Sequence, residues 1–204
     1  MLWQGFYEIM SWVNQDDDWV TMNYGYALLS KDGRILQDIS EEQDRREVFS
    51  IQLYLYTASV LPEIASMEGK TLLEVGSGRG GGLSFLTRKL KPERSIGVDF
   101  SHNQVDFCNR RHADVKNVKY TQGNAEQLVE AGIEANSIDY LVNVESSHCY
   151  GNIDNFFSSI TTVLKKDGTF LFTDFRGPEG LDELKEKISN HFTVVNEENI
   201  SKNV

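Results

Sequence analysis

The sequence of 204 residues contains little cysteine, little proline and no long apolar run. Its two cysteines, Cys108 and Cys149, form neither a metal-binding spacing nor a disulfide framework, which favours free thiols in a reducing compartment. No run approaches the ~18 apolar residues of a membrane span, and the first residues lack the positive start and apolar core of a signal peptide. We therefore expect a cytoplasmic protein without a transmembrane segment.

Basic residues are also in the minority. The chain has 20 Lys and Arg against 31 Asp and Glu, for a formal net charge of −11. Proteins that bind nucleic acid neutralise its phosphates with Lys and Arg, so this charge disfavours a nucleic-acid partner. The bases between Lys89 and Lys116 lie among acids, and we interpret them as a solvated helix face.

The length predicts one substantial globular domain with an N-terminal appendage. We assign residues 1–38 to an aromatic-rich cap or lid and residues 39–204 to a ligand-binding domain. Aromatic and aliphatic residues at the start predict a helix whose wide apolar face packs on the domain, with a substrate lid or a membrane-surface helix as alternatives. A sequence typical of a capping box at Ser40-Glu41-Glu42-Gln43 then predicts one or two helices before Gly69.

From Thr71 onward, short apolar runs alternate with helical patterns. The predicted order is strand 71–75, helix 81–90, strand 95–99, helix 102–112, strand 117–121, helix 126–131, strand 138–143, helix 153–164, strand 168–174, helix 180–190 and strand 192–196. Apolar strands alternating with helices are typical of a parallel sheet that helices cover on both faces. The predicted fold class is therefore α/β, a Rossmann-like, doubly wound and mostly parallel sheet.

A glycine-rich turn from Glu74 to Gly82 stands where the first of these strands ends and a helix begins. Glycines there allow positive φ and let a ligand contact backbone N–H groups, which implies a nucleotide-like ligand. Gly76, Gly78 and Gly81 also satisfy the dinucleotide fingerprint, with Asp99 as the ribose-binding acid. Taken alone, the turn does not separate S-adenosylmethionine from NAD, although the long segment before it favours a methyltransferase.

Five segments in the correct order carry a family resemblance. They are Glu74 followed by Gly-Ser-Gly-Arg-Gly, Gly97-Val98-Asp99-Phe100-Ser101, Gly123-Asn124-Ala125-Glu126, the strand from Ile138 to Glu145, and Thr169 to Arg176. Together they resemble the motifs of class I S-adenosylmethionine-dependent methyltransferases. The segments Met22 to Tyr26, Asn143 to Tyr150 and Thr173 to Arg176 are most similar to the branch of phthiotriolone and phenolphthiotriolone dimycocerosate methyltransferases.

The resemblance implies S-adenosyl-L-methionine as the cofactor and S-adenosyl-L-homocysteine as its product. Asp99 would bind both ribose hydroxyls, Asn124 would accept from the adenine amino group, and Tyr24 would close over the cofactor. The full set of implied cofactor-binding residues is Glu74, Gly76, Ser77, Gly78, Gly80, Asp99, Phe100, Asn124, Ala125, Glu126, Asn143 and Tyr24.

The same resemblance implies a small, apolar or lipid-like acceptor, with methylation at oxygen favoured. Methyl transfer mainly requires alignment of the acceptor, and a base only if the acceptor must lose a proton. His148 is the first candidate for this base, and Glu145 is the second. Asp174 and Arg176 either contact substrate or pair with each other, and we favour the pair. No metal is expected.

Three alternatives stay open: a cofactor-binding module without catalysis, an NAD-dependent oxidoreductase, and an RNA or protein methyltransferase. Few residues follow the predicted strand 192–196, so the C-terminal end is expected to be truncated relative to the family. An exposed strand edge would follow. We therefore expect a homodimer through this edge or through the N-terminal region as one arrangement.

Overall fold

The computed structural model describes residues 18–29, 35–36, 47–61 and 66–204. The predicted apolar face in residues 1–17 and the capping-box sequence at 40–43 lie outside these ranges. The helices and strands follow in chain order: β1 Leu28–Leu29, β2 Ile35–Leu36, α1 Val48–Ser59, β3 Thr71–Val75, α2 Gly81–Leu90, β4 Arg94–Asp99, α3 His102–Arg111, β5 Val118–Gln122, β6 Ile138–Val144, α4 Ile153–Val163, β7 Leu164–Thr173 and α5 Pro178–His191. Two short 3-10 helices, Ala125–Gln127 and Ser147–Cys149, precede β6 and α4 respectively.

The core of the protein is a five-stranded sheet with the order β5-β4-β3-β6-β7. All four pairings in it are parallel. The order reverses direction after β3, so the carboxyl ends of β3, β4 and β6 flank the point at which ligands bind in open α/β sheets. β1 and β2 form a separate antiparallel pair.

Helices cover both faces of the sheet. Side chains alternate along a strand, so neighbouring residues of β3 enter different cores. Leu72 packs with residues of α1, α2 and α3, whereas Leu73 packs with residues of α4 and with Leu184 of α5. Both leucines are fully buried. The predicted doubly wound α/β class is confirmed.

Two segments between residues 126 and 174 differ from their predicted structure. The predicted helix 126–131 is replaced by the 3-10 helix Ala125–Gln127 and a loop, because Asn124 caps Glu126 and the Ser159 hydroxyl accepts from the backbone of Leu128. β7 begins at Leu164, before the predicted strand 168–174, and its pairing with β6 shifts between Ile138 and Tyr140.

The predicted strand 192–196 is wrong, because residues 192–204 contain neither a strand nor a helix. Val194 and Val195 are exposed, the latter to 73%, whereas Phe192 packs against the core that contains the residues of α4. The segment instead returns to the N-terminal part of the chain. Asn203 accepts from the backbone N–H of Ala27 at 2.7 Å and donates to its carbonyl at 3.0 Å, and Ile200 packs against the core around α1.

The segment before β1 runs across the glycine-rich turn and along α1. The carbonyl of Val20 accepts from the backbone N–H of Gly81 at 2.8 Å. The backbone N–H of Val20 donates to the Glu47 carboxylate at 2.5 Å. Tyr26 donates its backbone N–H to the carbonyl of Phe49 at 2.8 Å. Within the described ranges, no helix has the length and apolar character needed to span a bilayer.

Candidate active site

A cavity opens at the carboxyl ends of β3, β4 and β6, beside the 3-10 helix that follows β5. The segment before β1 forms one of its walls. The described lining residues are Val20, Thr21, Met22, Asn23, Tyr54, Val75, Gly76, Ser77, Gly78, Val98, Asp99, Phe100, Ser101, Gln104, Gly123, Asn124, Ala125, Glu126, Val144, Glu145, Ser146, Cys149, Tyr150 and Gly151.

The glycine-rich turn needs its glycines for both conformation and space. Gly76, Gly78 and Gly80 have φ of 73°, 50° and 78°, a region that L side chains rarely adopt. A Cβ on Gly76 would lie 2.2 Å from Oγ of Ser146, and one on Gly80 would lie 2.8 Å from the ring of Tyr120. Gly76 and Gly78 line the cavity, whereas Gly80 lies outside the lining, against the ring of Tyr120.

The first amides of the turn point to protein acceptors. Gly76 and Ser77 donate their N–H groups to the carbonyl of Val98 at 2.8 and 3.1 Å. Gly78 donates to Oδ2 of Asp99 at 2.7 Å, and Oδ1 of Asp99 accepts from Ser101 at 2.9 Å. Asp99 therefore fixes the turn against β4, and three of the N–H groups that a phosphate would need are already in use.

The charge of the cavity is one-sided. Asp99, Glu126 and Glu145 contribute carboxylates to it, whereas the described part of its lining includes no Lys, Arg or His. Such a cavity has a negative potential, which attracts a cationic ligand and repels a diphosphate. The hydroxyl of Ser77 is buried there without a partner among the described residues, so it can bond to a polar ligand.

Glu74 lies beneath the turn and does not line the cavity. Its side chain is fully buried. Burial raises its pKa to about 8; the nearby Tyr54 hydroxyl opposes this rise and the Asp99 carboxylate adds to it. Direct contact between Glu74 and a cofactor stays a prediction.

Four of the predicted cofactor-binding residues, Phe100, Asn124, Ala125 and Glu126, lie in the cavity lining. Phe100 is 49% exposed and presents an apolar ring, and Ala125 is buried. The side-chain oxygen of Asn124 accepts from the backbone of Glu126 at 3.0 Å. Oε1 of Glu126 accepts from the backbone N–H groups of Gly151 and Asn152 at 2.9 and 3.0 Å, tying this side to the loop before α4.

Asn143 lies behind the cavity rather than in its lining. It is fully buried, and its amide donates to the carbonyl of Val75 at 2.8 Å, to Oγ of Ser146 at 2.8 Å and towards the Tyr150 hydroxyl at 3.0 Å. It therefore holds the end of β3 against the loop after β6. Direct contact with a cofactor stays a prediction for this residue.

Glu145 follows β6 with φ of 45°, an unusual conformation for a residue other than glycine. Its Oε2 accepts from the backbone N–H of Tyr24 at 2.7 Å, so it joins the cavity floor to the segment before β1. Burial raises the pKa of Glu145, against the lowering effect of this hydrogen bond. The Tyr24 ring itself is 77% exposed and lies outside the cavity lining.

His148 lies beside the cavity, in the 3-10 helix between the lining residues Ser146 and Cys149. Its Nδ1 is 2.8 Å from Oδ1 of Asp174, the residue that follows β7. The side chain of Asp174 is fully buried, whereas the imidazole is 24% exposed. The carboxylate therefore favours the tautomer with hydrogen on Nδ1 and leaves Nε2 as an acceptor.

Asp174 has several other donors. Its Oδ2 accepts from the Ser147 hydroxyl at 2.5 Å and pairs with Nη1 of Arg176 at 3.2 Å. Burial alone would raise the pKa of Asp174, but hydrogen bonds from His148 and Ser147 and the charge of Arg176 lower it below the ordinary value. The predicted Asp174–Arg176 pair is confirmed, and Asp174 is held as a carboxylate.

Sequence reasoning missed the contact between Asp174 and His148. The signal for it was available, because β6 and β7 were both predicted and the residues that follow adjacent parallel strands lie side by side. Phe175, an exposed aromatic residue, lies beside His148. The Phe175 ring lies 4.4 Å from the His148 ring and 5.5 Å from that of Tyr24, between centroids.

Comparison with known proteins gives a consistent answer. Residues 66–203 match a family model described as a methyltransferase domain. The fatty-acid O-methyltransferase of Mycolicibacterium smegmatis is 40% identical over 162 residues, which are 79% of this chain and 55% of that protein. A probable phthiotriol/phenolphthiotriol dimycocerosates methyltransferase of Mycobacterium ulcerans is 33% identical over 175 residues, 86% of this chain and 63% of that protein.

The chain thus spans less than two thirds of the length of these two relatives. Among solved structures, the crystal structure of the cyclase SpnF superposes with a TM-score of 0.72 at 19% identity, covering 98% of this chain and 74% of that one. This likeness confirms the fold. The resemblance inferred from the five motifs is confirmed by the family model and by both relatives.

Proposed function

The chain belongs to the methyltransferase domain family, and from that premise we propose that it transfers a methyl group from S-adenosyl-L-methionine to an oxygen of an apolar, lipid-like molecule. The observation that carries the proposal is the charge of the cavity. Three carboxylates line it, from Asp99, Glu126 and Glu145, and its described lining has no basic side chain. A sulfonium cofactor is cationic and suits this potential, whereas the diphosphate of NAD does not.

The described residues fit such a cofactor. Asp99 lies at the end of β4 with two carboxylate oxygens, which can accept hydrogen bonds from ribose hydroxyls beside the Gly78 and Ser101 amides. Phe100 and Ala125 supply apolar contacts for adenine, with Asn124 at its edge. Glu145 and the free hydroxyl of Ser77 would hold the methionine end. When bound, the cofactor supplies an electrophilic methyl group.

His148 acts as the general base in this proposal, and Asp174 is a positioning residue that fixes its tautomer. Nε2 of His148 removes the proton of the acceptor oxygen, while the hydrogen bond from Nδ1 to Asp174 stabilises the imidazolium that forms. Glu145 orients the site, because its carboxylate already accepts from the backbone of Tyr24. Phe175 and Tyr24 shield the reacting oxygen from water.

The names of the two relatives support a lipid-like acceptor, since one is called a fatty-acid and the other a phthiotriol dimycocerosates methyltransferase. Residues 1–38 would form a cap over this acceptor, which agrees with the position of Val20 to Asn23 in the cavity wall. We further propose that the protein is cytoplasmic and acts on no nucleic acid, as its charge and cysteine content suggest.

Calorimetric titration with S-adenosylhomocysteine and, in parallel, with NAD tests the cofactor. We expect saturable binding of S-adenosylhomocysteine alone, weakened at least about tenfold by Asp99→Ala because charged hydrogen bonds are lost. Asp106→Ala is the matched control, since Asp106 is exposed on α3 and pairs only with His102 among the described residues. Binding of NAD instead would overturn the proposal.

Catalysis is separated from mere cofactor binding by His148→Ala. Methyl transfer from labelled S-adenosylmethionine to a lipid extract should fall about a hundredfold in this variant, with unchanged affinity for S-adenosylhomocysteine. A wild-type protein that binds the cofactor and transfers no methyl group to any lipid fraction would instead be a binding module.

A further inference from the structure

The charged side chains around His148 and Glu145 distinguish two kinds of acceptor oxygen. A carboxylate is anionic at neutral pH, needs cations or N–H donors for its recognition, and needs no base before it attacks. A hydroxyl is neutral, donates a hydrogen bond, and must lose its proton during the reaction. The described residues provide for the second kind.

Arg176 is a basic side chain beside His148, and three of its five N–H donors have partners among the described residues. Its Nη1 lies 2.7 Å from the carbonyl of Phe175 and 3.2 Å from Oδ2 of Asp174. Its Nη2 donates to the Ser147 hydroxyl at 2.8 Å. Asp174 therefore already compensates the charge of Arg176, so a second carboxylate at this end would not gain an unpaired positive charge.

Negative charge near His148 is not fully compensated. Glu145 lines the cavity floor, and no basic side chain stands beside it in the described lining. A carboxylate acceptor placed between Glu145 and His148 would lie close to this like charge, which is costly in a site screened from water. A neutral acceptor avoids this cost.

The imidazole offers the complementary group for a hydroxyl. Asp174 accepts from Nδ1 at 2.8 Å, so the neutral ring presents Nε2 as an acceptor, which a hydroxyl can satisfy and a carboxylate cannot. The exposed rings of Phe175 and Tyr24 beside it suit an apolar body attached to that hydroxyl.

We infer that the acceptor group is a neutral hydroxyl, an alcohol or a phenol on an apolar molecule, and not a fatty-acid carboxylate. This inference rests on the proposed function. The hydroxyl oxygen forms a bond to the methyl carbon, the bond from that carbon to sulfur breaks with its electron pair going to sulfur, and the hydroxyl proton passes to Nε2 of His148. The products are a methyl ether, S-adenosylhomocysteine and a proton that the imidazolium releases to water.

The test uses two ligands of equal chain length, decan-1-ol and decanoate, titrated at pH 8 into protein saturated with S-adenosylhomocysteine. We expect decan-1-ol to bind at least tenfold more tightly. The alcohol is also the more hydrophobic ligand, so the variant Glu145→Gln separates charge from hydrophobicity. With S-adenosylhomocysteine again saturating, it should raise the affinity for decanoate relative to that for decan-1-ol about tenfold, whereas the control Asp106→Asn should leave this ratio unchanged.

A third measurement uses labelled S-adenosylmethionine with an equimolar mixture of both ligands, because a methyl ether survives mild alkali and a methyl ester does not. Alkali-labile label, decanoate binding as tight as that of decan-1-ol, or no saturable binding of decan-1-ol would each overturn the inference. The proposed cofactor is judged separately. Absence of S-adenosylhomocysteine binding, measured before either ligand is added, would overturn the proposed function itself.

Discussion

His148 and Asp174 stand 26 residues apart in the sequence, yet Nδ1 of the imidazole lies 2.8 Å from Oδ1 of the carboxylate. The contact forms because β6 and β7 are parallel neighbours whose carboxyl ends are in register, with Val144 paired to Thr173. Glu145 also donates its backbone N–H to the carbonyl of Thr173 at 2.7 Å. The pairing of β6 with β7 thus places the proposed base, His148, beside its positioning carboxylate, Asp174, although the two residues are distant in the sequence.

Asp174→Asn tests the role of this carboxylate. We expect kcat to fall about a hundredfold, because the amide no longer fixes the hydrogen on Nδ1 or stabilises the imidazolium. Affinity for S-adenosylhomocysteine should stay within twofold. Steady-state kinetics with calorimetry measures both, and the control Asp154→Asn removes an exposed ion pair with Lys187 outside the cavity lining. An unchanged kcat would show that Asp174 only stabilises the loop.

Gly76→Ala tests whether the turn needs its open space. The new Cβ would lie 2.2 Å from Oγ of Ser146, so the turn must move and S-adenosylhomocysteine should bind at least tenfold more weakly. Gly69→Ala is the matched control, since Gly69 has φ of 70° and no described atom within 4 Å of the added Cβ. Both variants should lose about 1 kcal/mol of stability from the positive φ, but only the first should lose affinity.

The order of strands and helices was predictable, because buried parallel strands read as apolar runs and helices as amphipathic ones. β3, with Leu72 and Leu73 facing opposite cores, was predicted with its observed bounds. The bulge in β7 was not predicted. Lys166-Asp167-Gly168 has the composition of a turn, and these residues belong to a strand because β7 pairs with β6.

The cavity residues on the glycine-rich turn, together with Asp99, were also predictable, because their spacing reflects local backbone geometry. The structural roles of Asn143 and Asp174 were not predictable from the sequence. Each depends on a neighbouring strand: Asn143 bonds to the carbonyl of Val75 in β3, and Asp174 bonds to His148 after β6. Long-range contacts of this kind leave no periodic pattern in the sequence.

The wrongly predicted strand 192–196 gives a third test. Val195 is 73% exposed, whereas Ile200, further along the same segment, packs against the core around α1. Ile200→Ala should therefore lower the free energy of unfolding by about 1–2 kcal/mol, as expected for a partly buried aliphatic side chain. Val195→Ala should change it by less than about 0.5 kcal/mol. Equal effects in urea unfolding would contradict the observed path of the segment.

The pKa of Glu74 leads to the last prediction. It rises to about 8 in the folded protein, so between the ordinary value of 4.5 and 8 the folded state binds more protons than the unfolded state. Stability due to this group is therefore fully present below about 4.5 and is lost as the pH rises through 8. Glu74→Gln, which stays neutral, removes this loss. The variant should match the wild type near pH 5 and exceed it at pH 9, by on the order of a few kcal/mol.

Other groups contribute to the pH dependence of the wild type. The lowered pKa of buried His112 makes stability rise with pH over part of the same range, whereas the raised pKa values of Glu47 and Glu145 act in the direction of Glu74. All of these remain in the variant, so the difference between the two unfolding free energies at pH 5, 7 and 9 isolates Glu74. Glu134→Gln, at an exposed site, should show no trend. A pH-independent difference for Glu74→Gln would mean that its carboxylate is already ionised beneath the turn at pH 5.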